Sequence, residues 1–284
     1  MQKSFPTRGK ARVFATGLAI ALLAVALPVA APAQETDEGN EADLAKQLAN
    51  PISSLISVPI QFNYDEGYGP ADGERAVVNV QPVIPFDLTE NLSLVTRTIV
   101  PVIWQDDVAG SSGTQFGLGD TVQSFFLVPE TRQTSLGSLT WGVGPVANWP
   151  TSTDRLLGSG TFGLGPTGVF LFQNGPWTAG ALANHLWGVH ETRSNTPDLN
   201  NTFIQPFLSY TTPSAWTFTL QSETSYNWTS EDWAVPINFM VSKLTSIGGQ
   251  RVQFQVGLRY WAEPATNGAD GFGARAAVVF LFPR

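Results

Sequence analysis

The chain has 284 residues and a formal charge of −8, with 15 Lys and Arg against 23 Asp and Glu, a poor balance for gripping nucleic acid. It contains no cysteine, which excludes disulfide staples, thiolate metal sites and a thiol nucleophile. A secreted chain of about 250 residues is long enough to build one large closed structure without such staples.

At the N-terminus, Lys3, Arg8, Lys10 and Arg12 precede an apolar run from Val13 to Ala30, followed by Ala31-Pro32-Ala33. A positive start, an apolar middle and an A-x-A end describe a secretory signal peptide over residues 1–33. Gly17 and Pro28 interrupt the run, and Glu35, Asp37 and Glu38 follow it, which disfavours a retained anchor helix. Cleavage removes four of the 15 cations and no acid, so the expected mature charge is 11 − 23 = −12. No later stretch is apolar enough for a transmembrane helix. Residues 34–51 form an acidic segment in which Leu44 and Leu48, four apart, predict a short helix closed by Pro51.

From residue 52 to 284 the chain alternates apolar and polar residues in stretches of roughly ten, the length of a tilted strand that crosses a bilayer. In 251–261, Val252, Phe254, Val256, Leu258 and Tyr260 share one face, and Arg251, Gln253, Gln255 and Arg259 share the other. The strands are predicted at 53–64, 75–86, 92–104, 117–128, 138–149, 161–172, 177–189, 202–210, 215–228, 233–243, 251–262 and 272–283. The expected fold is all-β, a closed antiparallel transmembrane β-barrel of about twelve strands with a short N-terminal helix. The competing fold is a secreted β-sandwich or lipocalin-like barrel with the apolar face inward.

Connection lengths and aromatic placement favour the membrane barrel. Short inner turns are expected at 87–91, 129–136, 174–176, 211–214 and 244–250, and longer outer loops at 65–74, 105–116, 150–160, 190–201 and 263–271, with 229–232 breaking the rhythm. Trp104, Trp149, Trp187, Trp228, Trp233 and Trp261 fall near the outer strand ends, and Trp141, Trp177 and Trp216 near the inner ends, as in the two aromatic girdles of such barrels. Against regularity, Pro59, Pro82, Pro85, Pro101, Pro145, Pro166, Pro206 and Pro236 fall within predicted strands and remove ladder donors. Bulges or kinks are expected there, wetted from the lumen or opening the wall sideways. Glycines spaced by two, such as Gly117 and Gly119, Gly142 and Gly144, and Gly163 and Gly165, would clear wall space inside, where the N-terminal helix could dock as a plug.

The residues inferred to line the pore are Gln61, Asn63, Asn79, Gln81, Arg97, Asn148, Glu223, Asn227, Asn238, Gln253, Gln255, Arg259 and Arg275. The set is rich in amides and sparsely charged. Arg97, Arg259 and Arg275 with Glu223 would form either a selective constriction or lumenal ion pairs that brace the strands. No catalytic set emerges. His185 and His190 are the only histidines, and no spacing joins them to Ser222, Ser225 or Asp198; the expectation is a girdle or rim histidine, no metal site, no cofactor and no enzyme.

Several phrases carry a family resemblance: Leu44-Ala45-Lys46-Gln47-Leu48-Ala49-Asn50-Pro51, Phe116-Gly117-Leu118-Gly119-Asp120, Gly142-Val143-Gly144-Pro145 with Pro150-Thr151, Gln205-Pro206-Phe207, residues 233–238 with Ser242-Lys243, and Phe280-Leu281-Phe282-Pro283. They resemble the outer-membrane transporter-like family named after the MetA pathway of phenol degradation, whose members are sometimes mislabelled neuromedin U. The resemblance implies a barrel and uptake of aromatic or other hydrophobic compounds, and carries over no catalytic residue. One departure is that Pro283-Arg284 follow Phe282, where barrels commonly end on an aromatic residue. The resulting expectation is a bacterial outer-membrane channel or passive transporter, with membrane lipid, the barrel-assembly machinery and a small solute as partners and no nucleic acid. The alternatives are a membrane-embedded lipid-modifying hydrolase or acyltransferase, and a structural envelope barrel without transport.

Overall fold

The computed structural model describes residues 38–194 and 198–282. The signal-peptide reading of residues 1–33 and the Pro283-Arg284 terminus lie outside these residues. Twelve wall strands run in chain order: β1 (Ile56–Tyr68), β2 (Gly73–Val80 continued by Val83–Thr89), β3 (Leu92–Asp106), β4 (Thr114–Leu118, Thr121–Pro129 and Arg132–Thr134), β5 (Gly137–Trp149), β6 (Thr161–Asn174), β7 (Trp177–Glu191), β8 (Asn200–Thr211), β9 (Trp216–Ser222 continued by Thr224–Asn227), β10 (Asp232–Ile247), β11 (Gln250–Glu263) and β12 (Gly271–Phe282). Each pairs antiparallel with its neighbour, and β12 returns to β1 in the register Ile56↔Phe282 through Tyr64↔Ala274. The sheet is thus a closed barrel with no free lateral edge.

One end carries tight turns of two to four residues and the other carries loops of four to eleven. Gly248 and Gly249, with φ of +58° and +86°, make the tight turn between β10 and β11, a conformation that β-carbons disfavour. Most connections are shorter than the sequence suggests, because the strands run on: β1 continues to Tyr68, the Arg132–Thr134 piece extends β4 toward its turn, and β10 reaches Ile247. On β11, Phe254, Val256, Leu258 and Tyr260 stand exposed on the outer wall while Gln253 and Arg259 are buried inside, and Val252 next to the turn is covered. Polar in and apolar out is the inverse of a soluble sheet and matches a barrel that meets hydrocarbon.

The aromatic ends are occupied as expected with one exception. Trp177 meets Tyr210 edge-on at 4.9 Å near the turns, and Tyr226 meets Trp228 and Trp233 at 4.9 and 4.7 Å near the loops. Trp261 instead turns into the lumen, where its Nε1 donates to Asp65 Oδ1 at 3.0 Å. Alternation explains this, since Trp261 shares parity with Arg259 rather than with Tyr260.

The strand prolines interrupt the wall at Gln81-Pro82, but backbone acceptors remain satisfied. Gln81 N donates to Pro59 O at 2.8 Å, Thr98 N to Pro82 O at 3.1 Å and Gly119 N to Pro101 O at 2.9 Å. The breaks therefore re-aim side chains without leaving these carbonyls orphaned in the wall.

Helix α1 (Glu38–Leu48) sits at the turn end, with Glu41 and Asp43 in its first half and Lys46 in its last turn, complementing the helix dipole. Its Leu44, Ala45 and Leu48 pack with Ala215, Leu244, Val279 and Leu281, and Glu41 pairs with Arg251 of β11. Pro51 stops the helix, and Asn50 Oδ1 accepts from Ile52 N at 2.9 Å to turn the chain. That turn drives Ile52, 2% exposed, into an apolar cluster of Val83, Val95, Phe126, Val128, Val169, Leu171 and Leu182.

Candidate functional site

Above this plug the lumen holds two chambers joined at a polar waist. The turn-side chamber, about 190 Å³, is floored by Leu48, Asn50, Pro51 and Ser53. The loop-side chamber is about 530 Å³, a volume typical of small-molecule sites. Gln61, Gln81, Arg97, Gln205, Glu223 and Arg275 line both and form the waist. Two of the six stand at strand interruptions: Gln81 where Pro82 breaks β2, and Glu223 between the two pieces of β9.

The waist is a hydrogen-bonded charge cluster. Arg275 grips Glu223 with both terminal nitrogens, Nη2 to Oε2 at 2.5 Å and Nη1 to Oε1 at 2.9 Å, and its Nε donates to Asn63 Oδ1 at 2.7 Å. Arg259 reaches Glu223 Oε2 at 2.9 Å and Asp65 Oδ2 at 2.8 Å, while its Nε donates to Asn238 Oδ1 at 2.9 Å. Its guanidinium lies 5.5 Å from the Trp261 ring. Gln221 adds a bond to Glu223 Oε1 at 3.1 Å, and Arg97 Nη2 donates to Gln81 Oε1 at 3.0 Å. This network supplies the partners that buried charges require.

The inferred pore residues distribute unequally over this frame. Gln61, Gln81, Arg97, Glu223 and Arg275 meet at the waist; Asn63, Asn79 and Arg259 line the loop-side chamber, and Gln253 and Gln255 the turn-side one. Asn148, Asn227 and Asn238 line neither. Asn148 is buried, its Nδ2 donating to Thr161 O at 2.9 Å and Ser159 Oγ at 3.2 Å, and Asn238 is covered by Arg259. Asn227 is exposed at the rim and accepts from Thr229 N at 2.9 Å and Ser230 N at 3.2 Å, capping the loop.

Sequence reasoning missed the apolar inward residues, among them Ile99, Ile103, Val122, Leu182 and Phe203, because strands such as Val169-Phe170-Leu171-Phe172 are apolar on both faces and alternation cannot sort them. It also missed the loop over residues 150–160, which folds into the barrel with Leu157 only 3% exposed. Asp120 holds it there, accepting from Ser152 N at 3.1 Å and from Ser159 N and Oγ at 2.6 and 2.7 Å. The glycines do face inward, but different segments fill most of their space. A Cβ at Gly117 would meet Thr153 and Leu157, one at Gly163 would meet Leu199, and only Gly142 faces the plug, through Ile52. Helix α1 itself packs toward β8, β9 and β10.

His185 lies on the outer wall. Its Nδ1 shares a 2.7 Å hydrogen bond with Thr202 Oγ1, which also accepts from Trp228 Nε1 at 2.8 Å, and its ring packs at a tilt against Trp187, 4.2 Å between centroids. No acid appears among these partners, and Ser222 Oγ is engaged with Pro236 O at 2.7 Å. The described residues therefore assemble no acid–histidine–nucleophile arrangement around His185. Among the described residues no group of three or more candidate ligands could hold a metal.

This architecture is that of an outer-membrane β-barrel. It superposes on an outer membrane channel from Pseudomonas putida F1 with a TM-score of 0.60 at 12% identity, covering 80% of this chain and 96% of that one. Looser likenesses are the outer membrane phospholipase of Salmonella typhi, TM-score 0.46 at 14% identity over 87% and 99% of the two chains, and the CymD monoaromatic hydrocarbon channel, TM-score 0.43 at 8% identity over 90% and 95%. No family model and no curated protein matches the sequence.

Proposed function

We propose that the protein is exported by its N-terminal signal, inserted in the bacterial outer membrane by the barrel-assembly machinery, and acts there as a passive channel for small solutes. The observation that carries this reading is a two-chambered path with a polar waist inside a closed barrel whose outer wall is apolar. The likeness of its fold to the Pseudomonas putida channel supports it. Apolar side chains along one wall of the loop-side chamber agree with the aromatic or hydrophobic solutes implied by the MetA-pathway resemblance.

In this reading the waist discriminates among solutes and the segment from α1 to Ser53 holds the turn-side mouth closed until it moves. Liposome swelling with phenolics, fatty acids, sugars and amino acids tests it, using the full chain and a variant lacking residues 34–50. Entry of phenolics ahead of sugars of similar size is the expected result. If none of the panel enters through either protein, a structural envelope barrel without transport becomes the better description.

A further inference from the structure

The loop-side chamber is two-sided. Strand β3 points Arg97, Ile99, Pro101 and Ile103 into it in succession, so an apolar track rises directly from the waist guanidinium toward the mouth. Val77 of β2 and Val122 of β4 flank that track, with Asn79 of β2 beside Pro101. A polar face lies two to four strands away, built from Asn63 and Asp65 of β1 and Arg259 and Trp261 of β11. At 3.3 Å per residue the track from residue 97 to residue 103 spans about 20 Å.

The three waist arginines are not equivalent. Arg259 and Arg275 are each bound to carboxylates, and both share Glu223. Among the described residues no carboxylate lies within ion-pair distance of Arg97, whose hydrogen bond goes to the neutral amide of Gln81. Glu223 attracts it only at longer range. Counting every charged residue of the chamber, Arg75, Arg97, Arg259 and Arg275 face Asp65, Asp120 and Glu223, which leaves 4 − 3 = +1. Asp120 is engaged by the amides and hydroxyl of the inward loop. A net positive lumen inside a chain of charge −8 is opposite in sign to the molecule as a whole.

We infer that the loop-side chamber is a binding site for small amphiphilic anions, an aromatic or short aliphatic carboxylate, with the carboxylate on Arg97 and the apolar body along Ile99, Pro101 and Ile103. This assignment rests on the channel reading for its purpose but not for its test. A carboxylate would supply the ion-pair partner that Arg97 lacks, in a setting where water is partly excluded and such a pair is strengthened. A neutral analogue gains only the apolar contact. A cationic one meets Arg97 and Arg275 with like charge.

Equilibrium dialysis of the full chain in detergent at neutral pH, with benzoate, benzyl alcohol and benzylammonium as probes, decides the matter. Benzoate is expected to bind at least ten-fold more tightly than benzyl alcohol, with no retention of benzylammonium. Arg97→Gln should erase the difference, and Arg97→Lys should retain most of it. Fold is checked for each variant by heat-modifiable migration on gels. Equal binding of benzoate and benzyl alcohol, or an unchanged preference in folded Arg97→Gln, would overturn the assignment. Binding as expected with no swelling in liposomes would instead remove the channel reading and leave the site.

Discussion

Strand β3 passes through two regions of the lumen that are built from similar residues and behave differently. Near the turns its Val95 is 1% exposed and locked against Ile52, Phe126 and Val128. Two residues on, Arg97 stands at the waist, and beyond it Ile99 and Ile103 border an open chamber of about 530 Å³. Apolar side chains inside a barrel are thus either solid core or cavity wall, depending on whether another segment arrives to fill the space. At the turn end Ile52 and α1 arrive; along most of the loop-side track only Leu157 does. The same composition yields a stopper below and a solute-sized chamber above.

Removing the stopper breaks this contrast most severely. Deletion of residues 34–50 is expected to raise single-channel conductance in planar bilayers from a closed or barely resolved level to discrete openings, and an unchanged trace would place the limit at the waist or at Ile52, which the deletion leaves in place. Next in size is Glu223→Ala, which strands Arg275, 1% exposed, and Arg259 without their shared carboxylate. Loss of one partner from such a buried pair costs about 3–5 kcal/mol, read as a lower denaturant midpoint in micelles or thin bilayers. Ile52→Ala should cost about 2–4 kcal/mol by the same measurement, because the cavity opens among side chains that cannot collapse into it. It should also raise the frequency of spontaneous openings. Trp261→Phe removes the hydrogen bond to Asp65 and should cost about 1 kcal/mol. Of similar size is His185→Ala on the outer wall, which removes the hydrogen bond to Thr202 and should cost about 1 kcal/mol without effect on solute entry. A phospholipid hydrolysis by the wild type that disappears in this variant would revive the hydrolase alternative.

Much of the wall is legible in the sequence, since each strand has to alternate to keep one face in hydrocarbon and the turns have to be short to keep neighbours paired. Period two also placed Gln61, Asn63, Arg259 and Arg275 on one side, where they meet. What stayed hidden has a common physical origin. Alternation specifies opposite faces only where they differ in polarity, so Val169 and Phe170, or Leu171 and Phe172, carry no label for in and out. The inward loop was hidden because its anchor, Asp120, bonds residues more than thirty positions away that no local pattern connects to it. Asn227 has lumenal parity, opposite Asn201, but its distance along the barrel axis leaves it capping a loop instead of lining a chamber.

The seam between β1 and β12 joins residues 56–64 to residues 274–282, the longest sequence separation in the wall. Ile52, four positions before β1 begins, is already deep inside. The wall that surrounds Ile52 is therefore complete only when the first and last strands are paired. Such a far-apart pairing is also the slowest kind to form. Both ends of the barrel sequence thus meet at one seam, and the enclosure of the interior depends on that single pairing.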